Sequence, residues 1–238
     1  MIVVSLRKRK SYYGGKKRKN LNYKEMLPIV LLLLNFVLAL FYYPQLPAKM
    51  ATHFDFSGNA NDWSFRDIGA FAVPFAALFI YLVLHFLPSI DTKEQNISKV
   101  SSYLFAMKST ILSLLLVVQL YILSFNLPSP LLEFNFILVS DLLISLLILN
   151  VAVLSANVKR NYFIGFRTPY SLADDKIWDL TNKLGADLLA VLSAILFISS
   201  FLLPGYFIYA LILGVVIVAF AAFFYSLLLY KRLIEPLL

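Results

Sequence analysis

Residues Leu184–Tyr230 read LGADLLAVLSAILFISSFLLPGYFIYALILGVVIVAFAAFFYSLLLY. Two apolar stretches, Leu184–Leu203 and Gly205–Tyr230, meet at Leu203-Pro204-Gly205, and Asp187 is the single charge in the run. At about 1.5 Å of rise per helical residue, each stretch crosses the roughly 30 Å hydrocarbon layer of a bilayer. Proline and glycine at the junction break the helix, and so short a turn forces an antiparallel hairpin. Membrane helices are the only reading this segment allows.

Four more stretches are long enough to span: Met26–Tyr43, Ile68–Leu87, Tyr103–Phe125 and Phe134–Val158. The first is the shortest. Pro28 sits where its missing N–H costs nothing, and Pro74 is expected to kink the second helix unless that helix starts later. Composition agrees, since 61% of the 238 residues are hydrophobic and 14% charged, against about half and a quarter in soluble domains. The expected fold is an all-α polytopic membrane protein of six transmembrane helices, with a structured external loop and a structured cytoplasmic loop. The two halves show no matching broken helices, so an inverted repeat of the transporter kind is not supported.

Orientation follows from the basic flanks. Nine basic residues precede Glu25, and the basic run leads into an apolar stretch that ends in Tyr42-Tyr43-Pro44 rather than a cleavage site, so the first helix is expected to be retained. With the N-terminus inside, Lys93, Lys99, Lys159, Arg160, Arg167, Lys176, Lys183, Lys231 and Arg232 also fall on the cytoplasmic side. Only Lys49 and Arg66 fall outside. Six spans keep that asymmetry and place both termini in the cytoplasm. The same distribution explains the net charge of +8 by topology and anionic lipid, so the partner is the lipid bilayer and no nucleic acid is expected. Asn96-Ile97-Ser98 then lies inside and is expected to stay unglycosylated.

Cysteine is absent, which excludes disulfides, thiolate metal sites and a cysteine nucleophile. Neither HExxH nor GxSxG nor paired intramembrane aspartates occur, so no enzyme, cofactor or metal is expected.

Two loops exceed what connection requires. In the external loop, residues 44–67, Thr52 to Phe56 alternates, with Thr52, Phe54 and Phe56 on one side and His53 and Asp55 on the other. Ser57-Gly58-Asn59 supplies a turn, and Trp63 and Phe65 precede the second span at headgroup depth. His53 and Asp55 could hold a metal, or Asp55 could orient His53 as a base, but either site needs a third and fourth group and Asp62 is the only carboxylate nearby, so a hydrogen-bonding role in the loop fold is favoured. In the cytoplasmic loop, residues 159–183, Ser171 reads as an N-cap with Asp174 completing a capping box, starting a helix at Leu172. That helix aligns Ile177, Trp178, Thr181 and Leu184, either as a surface helix with Trp178 in the headgroups or as a docking surface for a cytoplasmic partner.

Ionisable residues inside spans point to function. His85, Lys108 and Asp187 are expected near the inner edge, where Lys108 either pairs with Asp187 or snorkels to the headgroups. Asp141 lies deeper on the external side, with Gln119 its best partner by depth, as a structural acid or a proton or ion site.

Leu46-Pro47, His53-Phe54-Asp55, Gly58 and Asp62-Trp63 resemble the signature of a membrane domain of unknown function found in the N-terminal half of SdpI-type proteins. Leu87-Pro88-Ser89-Ile90-Asp91 with Asn96 resembles the stretch after that domain's second helix. Asn161-Tyr162-Phe163-Ile164-Gly165-Phe166-Arg167-Thr168-Pro169, with Trp178 and Thr181, resembles the SdpI-family C-terminal motif. The resemblance covers Tyr43 to Leu203. It implies a membrane protein that protects a cell from a secreted antimicrobial peptide, the type member also holding a repressor at the membrane. The basic tail departs from the pattern, as does Asn182, which follows Thr181 where relatives often carry histidine.

The expected organisation is a basic cytoplasmic tail (1–25), an N-terminal membrane domain of spans one to three (26–125), and an SdpI-like C-terminal membrane domain of spans four to six (126–238). The expected function is recognition of a secreted peptide toxin by His53, Asp55, Gly58, Asp62 and Trp63, with Asn161, Gly165, Arg167, Thr168, Pro169 and Trp178 shaping a surface for a cytoplasmic regulator. The alternative is a small ion- or proton-coupled transporter using Asp141.

Overall fold

The computed structural model describes residues 23–55, 59–90, 97–129, 135–161 and 164–234. The basic tail before Tyr23, Gly58, Asn96, Tyr162 and Phe163 lie outside the described residues. Helix α1 (Tyr23–Tyr42) leads through a 3-10 turn (Tyr43–Gln45) into strands β1 (Lys49–Phe54) and β2 (Ala60–Phe65). Helices α2 (Arg66–Ile90), α3 (Ile97–Asn126), α4 (Phe136–Asn157), α5 (Asp175–Leu202) and α6 (Phe207–Leu233) follow, the last two joined by a 3-10 turn at Pro204–Tyr206. All six helices are long and apolar enough to cross a membrane. Helix α2 continues through Pro74.

Apolar contacts divide along the bundle. Leu31 and Leu32 of α1 pack against Ala77 of α2 and Leu112 of α3. Ala152 of α4, Leu189, Leu192 and Leu196 of α5, and Phe207 and Val218 of α6 form a second core. Large apolar side chains such as Phe41, Phe79, Ile217 and Phe224 face outward, while Asn35, Gln119, Asp141, Ser145, Ser193 and Ser226 are buried. Such inside-out partition suits lipid as solvent, where helix interfaces favour small and polar residues because apolar ones gain little by leaving lipid.

The loop between α1 and α2 is a two-stranded antiparallel hairpin rather than the single strand expected over Thr52–Phe56. Its register pairs Lys49 with Phe65 and His53 with Asp62, with irregularities beside His53. The hairpin rests on the bundle end through Leu46, Met50, Ala70, Ile122, Leu123 and Leu127. Close approach requires Gly69, where an added Cβ would stand 2.9 Å from Met50 Cβ.

Helix α5 corrects the expected start. Asp174, not Ser171, is its N-cap, the carboxylate accepting the N–H groups of Lys176 and Ile177. Ser171 is used elsewhere: its hydroxyl donates to Phe166 O at 2.7 Å, and its N–H donates to Thr168 Oγ1 at 2.9 Å. These bonds hold residues 168–171 in a turn, so the helix cannot begin there.

Candidate functional site

The hairpin is held as one rigid piece. On its bundle side, Asn126 at the last turn of α3 accepts the Ala51 N–H at 2.8 Å and donates to Ala51 O at 2.9 Å. Thr52 and Ser64 hydroxyls meet across the strands at 3.1 Å. Phe54 packs on Tyr121 and Phe125 of α3, with centroids 4.6 and 4.9 Å away. At the base, the Arg66 guanidinium lies 4.6 Å over the Tyr43 ring, and the Tyr43 hydroxyl donates to Asp67.

His53 and Asp55 serve the hairpin itself. His53 Nδ1 bonds Asn61 Oδ1 at 2.5 Å, and Asp55 accepts the Asn59 N–H at 2.9 Å across the turn. Asp62 caps its neighbour, accepting the Trp63 N–H at 2.8 Å. No cluster of three or more metal-ligating side chains occurs among the described residues. His53, Asp55, Asn61 and Asp62 remain exposed on the hairpin, and Trp63 (56% exposed) and Phe65 (69% exposed) are its large apolar projections. Asn126 and Ser64 were not singled out from the sequence; the signal available was a polar residue closing an apolar span.

The segment between α4 and α5 is folded just as firmly at the opposite end of the bundle. Trp178 is fully buried, and its Nε1–H donates to Val158 O at 3.0 Å. The surface-helix reading with Trp178 in the headgroups is therefore wrong: the ring is the floor of this segment. Asn182 accepts the Phe166 N–H at 2.8 Å and donates to Trp178 O at 3.1 Å. Gly165, at φ +109°, passes so close to Asn182 that an added Cβ would stand 2.5 Å from its Oδ1. Asn161 accepts the Ile164 N–H at 2.8 Å, and Arg160 bridges to Asp175 at 2.7 Å. Thr168 Oγ1 reaches Ser226 of α6 at 2.7 Å. The turn and α6 enclose a groove of about 560 Å³ lined by Gly165, Arg167, Thr168, Ala219, Ala222 and Phe223. Pro169, between Thr168 and Tyr170, is exposed.

The intramembrane ionisable groups pair differently from expectation. Lys108 is 3% exposed and bonds both carboxylate oxygens of Glu25 on α1, at 2.5 and 2.6 Å. It neither snorkels nor meets Asp187, which is exposed on α5, a helix that packs against α4 and α6. Tyr81 donates to Glu25 at 3.3 Å, and His85 Nδ1 stands 3.8 Å from the same carboxylate while stacking on Tyr81. Glu25 was missed because it was counted with the tail; α1 packs against α3, so its first turn meets Lys108. Gln119 donates to Ala70 O of α2 at 3.1 Å rather than to Asp141. One turn from Asp141, the Ser145 carbonyl accepts from Ser193 of α5, so the acid and the amide occupy different interfaces.

Residues 157–227 match the SdpI/YfhL protein family, and residues 30–78 match a domain of unknown function, DUF1648. The two matches fall on the two built segments and the helices that carry them, in the same order. The chain is thus a multi-pass protein of the cell membrane that is similar, in both segments, to SdpI-type proteins. It is 28% identical over 218 residues to the Immunity protein SdpI of Bacillus subtilis (strain 168), covering 88% of this chain and 97% of that protein. No solved structure matches it.

Proposed function

We propose that this chain is a non-enzymatic immunity protein that meets a secreted antimicrobial peptide with its hairpin, on the outside of the cell. The observation that carries this reading is the hairpin: a braced platform at the bundle end from which Trp63 and Phe65 project beside carboxylates. Exposed aromatic anchors on a rigid support are what a binding surface needs, since little ordering entropy is lost on contact. Likeness to an immunity protein along nearly its whole length supports the same role. The distribution of basic flanks supports a topology with the hairpin outside and the Arg167 segment inside. There the groove between Thr168 and α6, lined in part by Arg167, offers a cytoplasmic regulator a fixed seat.

The test is expression in a peptide-sensitive host, scored for survival against candidate secreted peptides. Wild-type chain is expected to protect, and Trp63→Ala with Phe65→Ala to abolish protection at equal membrane abundance. Full protection by the double variant would refute the hairpin as the contact surface.

A further inference from the structure

Asp141, Ser145, Ala152 and Ser155 are buried on α4 at spacings that place them along one stripe. That stripe faces α5: the Ser193 hydroxyl donates to Ser145 O at 2.8 Å, and Ala152 packs with Leu189, Leu192 and Leu196. Because α4 and α5 run antiparallel, the Ser145–Ser193 contact sets Asp141 level with Phe197, between the buried Leu196 and Ser200.

Around Asp141 the seam is polar, and its described serine hydroxyls are committed to backbone carbonyls. The Ser145 hydroxyl donates to Asp141 O at 2.8 Å, Ser193 to Ser145 O, and Ser200 to Leu196 O at 2.9 Å. Asp141 is 7% exposed, and its Oδ2 is buried with no hydrogen-bond partner. Among the described residues, no ion pair reaches it. Asp141 is the one ionisable side chain of α4, and α5 from Val191 to Leu202 has none. On α3, Tyr121 meets Phe136 on the other side of α4, and Lys108 is taken by Glu25.

We propose that Asp141 is a proton-binding site, its carboxyl group neutralised by a proton drawn from water at the hairpin end of the bundle. That end lies five residues away along α4, about 7.5 Å at 1.5 Å per residue. An ionised carboxylate in this seam would be a buried charge with no counter-ion among the described residues and no donor to its Oδ2, whereas the acid leaves only a neutral hydroxyl to accommodate. A metal cation would need several converging oxygen ligands; Oδ2 has no polar neighbour within hydrogen-bonding reach, and a proton requires only the one oxygen. The inference rests on the α4–α5 interface and is independent of the immunity reading.

Infrared absorption of the full chain in lipid nanodiscs tests it. A carbonyl band of a protonated carboxylic acid is expected at neutral pH, displaced in D₂O and lost in Asp141→Asn. Asp141→Glu is expected to keep the band at a shifted frequency, which reads the site even if the asparagine variant fails to fold. A wild-type spectrum without the band, or a band that survives Asp141→Asn, would overturn the proposal. A sodium-dependent rise in melting temperature that Asp141→Asn removes would also overturn it, by assigning the site to a metal cation.

Discussion

The side-chain amide of Asn126 grips Ala51 at both its N–H and its C=O, at 2.8 and 2.9 Å. A helix end thereby supplies the hydrogen bonds that a third strand would have made to β1, and an isolated two-strand hairpin, marginal by itself in water, becomes a fixed part of the bundle. Asn126 is anchored in turn by donating to Ile122 O at 2.8 Å.

Asn126→Leu should therefore free the hairpin without unfolding the bundle. Two hydrogen bonds are lost, each worth about 0.5–1.5 kcal/mol. Amide exchange in Lys49–Phe54 is expected to accelerate by about tenfold or more, 1.4 kcal/mol being a factor of ten, with α4 and α5 unchanged. Equal acceleration throughout would mean the clamp supports the whole fold.

Asp55 separates a structural from a recognising role. Its carboxylate accepts the Asn59 N–H across the hairpin turn, and asparagine retains an acceptor oxygen while losing the charge. Asp55→Ala should weaken peptide protection through the turn, and Asp55→Asn should preserve most of it in a survival assay. Equal loss in both variants would show that the charge itself meets the peptide.

Lys108 and Glu25 form the ion pair that joins α3 to α1. Removing one partner from a buried pair costs about 3–5 kcal/mol. With Glu25 24% exposed, Glu25→Gln is expected to cost less, roughly 1–3 kcal/mol, because water screens part of the loss. Combining Glu25→Gln with Lys108→Met should recover most of it. Thermal unfolding in detergent reads the cycle, and additive losses would contradict a coupled pair.

Gly165 holds a left-handed conformation against Asn182. Gly165→Ala should cost about 1–3 kcal/mol from backbone strain alone, with further loss as Asn182 is displaced. The expected readout is a lower melting temperature and proteolysis within 159–174, while the hairpin keeps its amide protection.

Six helices were legible because lipid imposes length and apolarity on each span, and Leu203-Pro204-Gly205 marks its own turn. The two built loops were legible as places, through their length and residue types. Their internal geometry was not. Trp178 reads equally well as a surface anchor until Val158 O is found above its Nε1–H, and Ser171 looks like a cap until Thr168 and Phe166 claim it. Depth counting set His85 and Lys108 near one another, yet depth says nothing of which face a residue occupies. Lys108 was therefore assigned to the headgroups or to Asp187 instead of Glu25, and Asp141 to Gln119 instead of the α5 seam. Asn126, a polar residue at a helix end, gave no sign in sequence of the distant strand it holds.

Peptide recognition by the hairpin requires that it and the Arg167 segment lie on opposite sides of the membrane. The chain has no cysteine, so Asn61→Cys and Lys176→Cys, both at exposed positions, can each be probed alone with a membrane-impermeant maleimide on intact cells. Labelling of Asn61→Cys in intact cells, with Lys176→Cys labelled only after permeabilisation, is the predicted result. Labelling of both in intact cells would contradict it.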